Sequence, residues 1–189
     1  MSLAAAREVL DFWFGAPGAV HYGKSRAEWF KKSAAFDALI RGRFLPVHAR
    51  AAAGQRAHWR DSPLTLLALI IVLDQFPRNL FRASPQAFAT DAMALDNAQR
   101  MTALHWDERL NEVERQFCYL PFEHAEDIEA QRNCIRLFST LGNADLLTWA
   151  QKHYDIIARF ERFPHRNAVL GRESTPEEIE FLERPGSRF

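Results

Sequence analysis

Apolar side chains recur at helical spacing along nearly the whole chain. Val9, Leu10, Trp13 and Phe14 share one stripe over 3–14, because residues three and four apart lie on the same face of a helix. The pattern predicts a chain of about eight helices. Besides the first, they are expected over 26–53, 64–75, 84–103, 108–120, 122–141, 143–160 and 176–183.

Prolines and capping residues mark the expected helix boundaries. Ser62 and Pro63 combine an N-cap with a proline at the first helical position, and Pro77 is expected to stop the helix that they open. Pro46 should kink or divide the helix over 26–53, since proline lacks the backbone N–H that a helix interior needs. The connections are short and none resembles a linker, so one helical domain over the whole chain is expected.

The composition favours helix over sheet. Ala and Leu number 28 and 20, whereas Val, Ile and Thr number 6, 8 and 6. The first pair favours helices and the second group favours strands. The 8 glycines and 9 prolines are too few for many short strands joined by tight hairpins. The sequence therefore predicts an all-α fold.

The balance of charge limits the partners. The chain has 24 Lys and Arg residues against 24 Asp and Glu residues, so its net charge is zero. A protein that grips nucleic acid or an anionic membrane through its overall field carries a basic excess, so neither partner is expected. The longest apolar run, 64–73, is about half of a membrane span and is expected to be a buried helix.

Cysteine usage and the N-terminal segment indicate the compartment. Cys118 and Cys134 are too far apart for a Cys-x-x-Cys motif, which fits a reducing cytosol. Arg7, Glu8 and Asp11 interrupt the apolar run at the N-terminus, so no secretory signal is expected. We expect a cytoplasmic protein that uses no cofactor and no metal ion. The sequence does not indicate its oligomeric state.

The end of the most apolar helix is the first candidate for chemistry. A carboxylate there opposes the negative end of the helix dipole, so Asp74 needs a positive partner, and Arg78 or Arg82 is near enough to supply one. Such an ion pair would simply pin a turn. Alternatively, Gln75, Arg78 and Asn79 face a pocket and bind a polar ligand.

The segment 121–127 carries three carboxylates and a histidine. As the first turns of a helix, its acids would complement the dipole and need no further role. Glu123 and Asp127 are four residues apart and would then project from one face, as a paired acid and base or as two oxygen ligands of a cation. His124 points away from that face, and the His-Glu-x-x-His zinc motif is missing.

The turn 163–167 is the most suggestive segment. His165, Arg166 and Asn167 bring an imidazole, a guanidinium and an amide together, and an arginine in such a turn can bind a carboxylate or phosphate through two hydrogen bonds. Arg172 adds a basic residue just before a helix N-terminus, where anions bind well. His153 lies on the inward stripe of its helix and is expected to be a hydrogen-bonded core residue, with a ligand role as the alternative.

Four separated motifs together resemble one family. They are Asp-Phe-Trp-Phe-Gly at 11–15, the segments 74–79 and 121–127, and the stretch 159–167 followed by Leu-Gly-Arg at 170–172. In this order, and over nearly the whole chain, they resemble the bacterial family catalogued as domain of unknown function 924, whose members have tetratricopeptide-like helical folds. The resemblance implies a repeat-like array of about eight to nine antiparallel helices, and it implies no activity.

The resemblance also singles out polar positions in this chain. Two residues depart from the family's pattern. Glu161 stands where the family has glycine, which puts in doubt any role that needs close backbone approach, and Ala125 stands where a serine is expected, which weakens any hydroxyl nucleophile there. The matching polar positions are Asp74, Gln75, Arg78, Asn79, Glu123, His124, Glu126, Asp127, His165, Arg166, Asn167 and Arg172.

The leading functional hypothesis is a helical-array protein whose motif loops form one polar pocket for a small anionic molecule or an acidic peptide. Arg78, Arg166 and Arg172 would supply its positive charge, and no nucleophile accompanies them. The residues expected to bind the ligand are Asp74, Gln75, Arg78, Asn79, His124, His165, Arg166, Asn167 and Arg172.

Two other hypotheses remain open at the level of sequence. In the first, the protein is a hydrolase-like enzyme in which Glu123 and Asp127, with His124 or His165, provide acid/base or metal chemistry. In the second, the same polar groups form a buried structural network that fixes the loops, and function resides on the outer surface.

Overall fold

The computed structural model describes residues 3–187. In this range the chain forms nine α-helices, five short 3₁₀ turns and no strand, which confirms the all-α prediction. The helices are α1 (Ala4–Phe14), α2 (Ala34–Ala52), α3 (Pro63–Leu80), α4 (Asp91–Ala103), α5 (Glu112–His124), α6 (Ile128–Ser139), α7 (Ala144–Phe160), α8 (Asn167–Leu170) and α9 (Pro176–Leu182).

Packing divides the chain into two compact units. The first unit contains the chain up to Arg82 together with Gln86–Pro121, and the second contains Ala83–Pro85 together with the chain from Phe122 onward. The single domain and the tetratricopeptide-like array stay predictions.

The first unit is built around α3. Every residue from Thr65 to Pro77 is buried, and α1, α2 and α4 pack against this helix. Trp13 of α1 is fully buried, and its ring contacts those of Phe76 and Phe117. A helix that is apolar on all sides belongs in the interior of a core. The run of apolar residues in the sequence therefore marks the centre of this unit.

By length and composition alone, α3 would also pass as a membrane span. Among the described residues it is the one helix that does so, and 83 % of it is buried within the protein. This burial is what is expected of a core helix, and it agrees with the prediction of a buried helix for this segment.

Pro77 does not stop α3, contrary to the prediction, and the helix continues to Leu80. A proline inside a helix leaves the carbonyl four residues earlier without its N–H donor. Here that carbonyl belongs to Leu73, and the hydroxyl of Thr90 donates a hydrogen bond to it at 2.5 Å. Because Thr90 replaces the missing donor, the polar residues around Pro77 form the last turns of a helix rather than a loop.

Four helices begin later than predicted. Helix α5 begins at Glu112 instead of 108 and contains Pro121 instead of ending before it, and α6 begins at Ile128 instead of 122. The segment 26–53 contains a 3₁₀ turn at Ala27–Trp29 and then α2, whose N-cap is Ser33. Pro46 lies inside α2 without dividing it. The segment that starts at 84 forms only a short 3₁₀ turn before α4 begins. The hydroxyl of Ser33 accepts a hydrogen bond from Phe36 N, and this cap fixes the later start of α2.

The second unit pairs α6 with α7, and α9 packs against a 3₁₀ turn at Pro164–Arg166. Ile156, Ile157 and Phe163 form its buried apolar cluster. Asn143 caps α7, since its side chain accepts hydrogen bonds from two backbone N–H groups of the first turn. The turn 163–167 after α7, called the motif turn below, therefore packs directly on the core of this unit.

Candidate functional site

The polar motif positions belong to both units. Asp74, Gln75, Arg78 and Asn79 lie in the first unit, and the positions from Glu123 onward lie in the second. One pocket built from all of them stays a prediction.

The end of α3 carries a buried carboxylate that has a cationic partner. Asp74 is 0 % exposed, and the guanidinium Nη1 of Arg78 lies 3.4 Å from its Oδ1. The amide of Gln75 also donates a hydrogen bond to Asp74. Arg78 binds Asp91 of α4 through Nη1 and Nη2, at 2.9 and 3.0 Å. The ion pair predicted for Asp74 is confirmed with Arg78.

The charge of Arg78 is stabilised where it lies. Burial alone would lower its pKa, but Asp74 and Asp91 outweigh burial and raise it. Nothing in the sequence indicated Asp91 as a partner, because it lies thirteen residues along the chain, beyond the reach of any local spacing rule. This arginine is therefore fully compensated within its own unit.

Asn79 and Arg82 bind a different carboxylate. Asn79 Nδ2 donates to Asp37 Oδ1 of α2 at 2.8 Å, and Arg82 donates to both oxygens of the same carboxylate. Burial would raise the pKa of Asp37, but these hydrogen bonds outweigh it and lower the pKa. Arg82 thus pairs with Asp37 rather than with Asp74, and Asn79 helps to hold α3 against α2.

The segment 121–127 does not form the first turns of a helix. Helix α5 ends at His124, and Asp127 is the N-cap of α6, where its Oδ1 accepts a hydrogen bond from Ala130 N at 2.7 Å. An N-cap residue takes an extended backbone that interrupts the helix. The prediction that Glu123 and Asp127 project from one helical face is therefore wrong.

Gln131 fixes the corner between α5 and α6. Its side chain is 0 % exposed, and Nε2 lies within hydrogen-bond distance of the carbonyl oxygens of Phe122, Glu123 and Ala125, at 3.2, 2.7 and 2.9 Å. Carbonyls at and after the end of a helix need donors from outside the helix. A single buried amide therefore holds the corner that carries the acidic motif.

His153 is a buried, hydrogen-bonded residue of α7, as predicted. Its Nδ1 lies 2.9 Å from the carbonyl oxygen of Trp149 and 3.5 Å from Oε1 of Glu123. A carbonyl oxygen can only accept, so Nδ1 carries the proton and Nε2 is the acceptor nitrogen. Burial lowers the pKa of His153 to about 3, and the imidazole is therefore neutral at neutral pH.

Glu126 joins this corner to the motif turn. Arg172 donates to both of its oxygens, at 2.6 and 2.9 Å, and the backbone N–H of Phe163 donates at 2.8 Å. Burial would raise the pKa of Glu126, but these donors outweigh it and lower the pKa. Gly171, at φ +67°, ends α8 in the left-handed conformation immediately before Arg172. The motif thus places a two-bond arginine contact on a carboxylate of the protein itself.

The ring of Phe163 is the centre of the motif turn. It is fully buried, and the imidazoles of His153 and His165 each lie 5.6 Å from it. The guanidinium carbon of Arg166 lies 4.5 Å from the centre of the same ring. Burial and the charge of Arg166 lower the pKa of His165 to about 4. At neutral pH the turn therefore combines a positive guanidinium with a neutral imidazole.

Asn167 and Arg162 tie the turn to α9 through Glu178. Arg162 donates to Glu178 through Nε and Nη2, at 2.7 and 2.8 Å, and Asn167 Nδ2 lies 3.3 Å from the same carboxylate. Glu178 also completes a capping box with Thr175. The hydrogen bonds from Arg162 lower the pKa of Glu178 to about 2. Asn167 therefore has a structural partner in addition to the ligand role predicted for it.

Glu161 ends α7 in the left-handed conformation, at φ +59°. Glycine adopts this conformation without strain and is common after helices for that reason. The cap accounts for the glycine in the family's motif without any close backbone approach.

In the second unit, the structure brings four of the candidate residues together around Phe163. Glu123 instead lies beside His153, and Asp127 serves as a cap. Within residues 3–187, no group of three or more His, Cys, Asp or Glu side chains is placed to hold a metal ion. The residues gathered at the turn are Glu126, His165, Arg166 and Arg172.

Comparison with known proteins agrees with this fold. The chain is similar to a solved protein of unknown function from Agrobacterium tumefaciens, with 42 % sequence identity over 95 % of this chain and 97 % of that one, and a TM-score of 0.86. The search of curated proteins finds no match. The family model described as bacterial protein of unknown function (DUF924) matches residues 9–186. The chain therefore belongs to this bacterial family of unknown function.

Proposed function

We propose that the protein is a cytoplasmic binding protein that receives a small anionic molecule or an acidic peptide at the motif turn of its second unit. One observation carries the proposal: Arg166, Arg172 and His165 all surround Phe163, through its ring or its backbone carbonyl. Two guanidiniums and an imidazole around one aromatic residue form a donor-rich site. Such a site suits a carboxylate or a phosphate.

The contacts of Glu126 indicate the chemistry that the turn recognises. Two guanidinium nitrogens of Arg172 and the N–H of Phe163 already hold this internal carboxylate. In the proposal these contacts shape the turn, while Arg166 and His165 receive the ligand beside them. Arg166 is only 7 % exposed, and a guanidinium that is poorly hydrated by water binds an anion more strongly.

The charge for binding comes from arginine and not from histidine. The pKa of His165 is about 4, so this imidazole is neutral through the whole range from pH 6 to 9. Arginine stays charged over the same range. The affinity for succinate, whose carboxylates stay ionised, should therefore be constant between pH 6 and 9, whereas binding by protonated histidines would weaken as the pH rises through 6.5.

Titration calorimetry with inorganic phosphate, succinate and an Asp/Glu hexapeptide tests the proposal. We expect the intact protein to bind at least one of them, and Arg166→Gln to weaken that binding roughly tenfold or more. Arg136→Gln, which removes the same charge from an exposed position on α6, is the matched control and should bind normally. If Arg166→Gln does not fold, Arg166→Lys keeps the charge but loses the fork and should bind with reduced affinity.

Two outcomes would overturn the proposal. The first is that the intact protein binds none of the three probes. The second is that folded Arg166→Gln binds as tightly as the intact protein. Lower stability of Arg166→Met without any change in binding would instead favour a purely structural network.

The contact between Glu123 and His153 favours hydrolysis as a second candidate function. A carboxylate beside an imidazole is an acid/base pair of the kind that hydrolases use, and Oε1 of Glu123 lies 3.5 Å from Nδ1 of His153. In this alternative, Glu123→Ala abolishes any turnover of p-nitrophenyl ester or phosphate substrates. Binding of phosphate or succinate without turnover, unchanged in Glu123→Ala, would count against it.

A further inference from the structure

A cavity of 360 Å³ lies in the first unit, in a region that carries none of the family motifs. Its wall comes from the end of α2, the 3₁₀ turn at Ala57–Asp61, α3 and α4. Most of the lining is aliphatic. The lining residues with apolar side chains are Ala51, Ala57, Leu69, Leu73, Ala92 and Met93.

Arg56 lines this cavity without a carboxylate partner. It is 8 % exposed, and its Nε is buried with no hydrogen-bond partner in the described part of the chain. The guanidinium lies 5.3 Å from the ring centre of Trp59, a contact that supplies no counter-charge. Buried arginines are normally paired, because an isolated buried charge is costly. Arg56 thus presents an uncompensated cation to the cavity.

Asn97 lines the same cavity and has an unused acceptor atom. It is 4 % exposed, and its Nδ2 donates to the carbonyl oxygen of Met93 at 2.7 Å. Its Oδ1 is buried and has no donor among residues 3–187. A buried amide oxygen normally accepts a hydrogen bond. Two residues of the lining, Arg56 and Asn97, thus have a cation and an acceptor that the described part of the chain leaves unsatisfied.

The rim limits the charge of an occupant. Arg60 and Asp96 line the cavity and form an ion pair at 2.9 Å, with both side chains partly exposed. Together with Arg56, the ionised lining residues leave one net positive charge. A singly charged anion matches this balance, whereas a phosphate dianion would also meet the carboxylate of Asp96.

We propose that this cavity binds a small organic monoanion that has a carboxylate for Arg56, a hydrogen-bond donor for Asn97 and an apolar body for the aliphatic wall. At about 30 Å³ for each water-sized group, the cavity has room for about a dozen non-hydrogen atoms. Its volume is within the usual range for small-molecule sites. The site goes beyond the function proposed above and uses other residues, so either proposal can fail alone.

Four probes separate the parts of this recognition. 3-Phenyllactate has the carboxylate, the donor and the apolar body; 3-phenylpropionate lacks the hydroxyl donor, 3-phenyl-1-propanol lacks the carboxylate, and inorganic phosphate lacks the apolar body. Titration calorimetry with the intact protein should rank phenyllactate first and phenylpropionate several-fold weaker. 3-Phenyl-1-propanol should not bind measurably, and any binding of inorganic phosphate at the motif turn should be the same in the intact protein and in Arg56→Met.

Three variants assign the contacts. Arg56→Met should weaken phenyllactate binding roughly tenfold or more, since it removes a charged hydrogen-bond donor. Asn97→Ala should remove the preference for phenyllactate over phenylpropionate. Arg50→Met removes the same charge from an exposed position of α2 that does not line the cavity, and it should bind normally.

Loss of stability is kept apart from loss of binding by a fourth variant. Ala92→Phe adds a ring at an exposed part of the lining without changing Arg56, and it should block the binding of phenyllactate. This variant tests the site even if Arg56→Met does not fold. The proposal is wrong if the intact protein does not bind phenyllactate. It is equally wrong if folded Arg56→Met or Ala92→Phe binds phenyllactate as tightly as the intact protein does.

Discussion

Two arginines in the first unit are largely buried, and they differ in what surrounds them. Arg78, at the end of α3, has two hydrogen bonds to Asp91 and lies 3.4 Å from Asp74. Arg56, in the cavity beside α3, has the ring of Trp59 and no carboxylate within the described residues. The first charge is compensated by the chain itself, whereas the second is not.

The comparison of these two arginines shows that burial alone does not identify a functional charge. Arg78 belongs to a family motif and stands out in the sequence, yet its contacts are those of a structural ion pair. Arg56 belongs to no motif, and it keeps a charge that the fold does not use. Arg172 in the second unit resembles Arg78, because it holds Glu126 through two hydrogen bonds.

The largest effect that separates the two arginines is expected from Arg78→Met. The variant leaves the carboxylates of Asp74 and Asp91 without this guanidinium, and breaking a buried pair by removing one partner destabilises a protein by about 3 kcal/mol. Urea unfolding measures the change. Arg82→Met removes an arginine whose side chain is 35 % exposed and should cost less than about 1 kcal/mol. Equal losses in the two variants would refute the distinction.

Acid is expected to lower the free energy of unfolding of the second unit in two steps. The folded pKa values of His153 and His165, about 3 and about 4, lie below the ordinary 6.5, so the unfolded chain binds protons first as the pH falls. The contribution of these two neutral histidines to the free energy of unfolding is fully present above pH 6.5, and it declines as the pH falls toward 4. Glu178, with a pKa of about 2 instead of 4.5, adds a further loss between pH 4.5 and 2.

Urea unfolding at pH 7, 5.5 and 4 checks this expectation. His165→Gln should flatten the first decline, because it removes one of the two groups that cause it. His58→Gln changes an exposed histidine of the first unit and is the control for replacing an imidazole by an amide. A decline that begins only below pH 4.5 would mean that the histidines do not contribute.

Arg56→Met is expected to have the opposite sign to Arg78→Met. Replacing an uncompensated buried charge by an apolar side chain of similar length removes a desolvation penalty, and the lost contact with Trp59 offsets part of the gain. The free energy of unfolding should stay unchanged or rise by about 1 kcal/mol. A fall of about 2 kcal/mol or more in urea unfolding would show that Arg56 is structural after all.

Glu161→Gly is expected to give a smaller gain in stability than the largest one expected for Arg56→Met, at a position that lines no cavity. Relief of the left-handed backbone should outweigh the extra entropy of glycine in the unfolded chain, for a net gain of about 0.5 kcal/mol. Ala158→Gly introduces glycine inside α7, where the backbone is not strained, and should lower the free energy of unfolding by about 1 kcal/mol. Thermal unfolding of the two variants checks the opposite signs.

The sequence predicts what depends on neighbouring residues. Asn143 caps α7 and Thr175 forms a capping box with Glu178, because caps act within three residues. The core position of His153 follows from helical periodicity in the same way. These features explain why the all-α fold and most helix positions are predictable.

What the sequence does not predict depends on contacts between distant segments. Pro77 stays inside α3 because Thr90 replaces a backbone donor, and no rule for prolines includes that hydroxyl. Glu126 finds Arg172 forty-six residues away. Arg56 stands among ordinary loop residues in the sequence, and only the cavity wall makes its charge conspicuous.

The rates at which the two cysteines react with a thiol reagent report how fast each unit opens. Cys118 lies in the first unit and Cys134 in the second, and both are buried. Burial raises the pKa of each thiol well above its usual range, so neither forms the reactive thiolate while its surroundings are closed. A thiol reagent added to the native protein therefore modifies each cysteine only when its own unit opens. Equal rates at the two sites would mean that the chain opens as one domain, and unequal rates would give each unit a lifetime of its own.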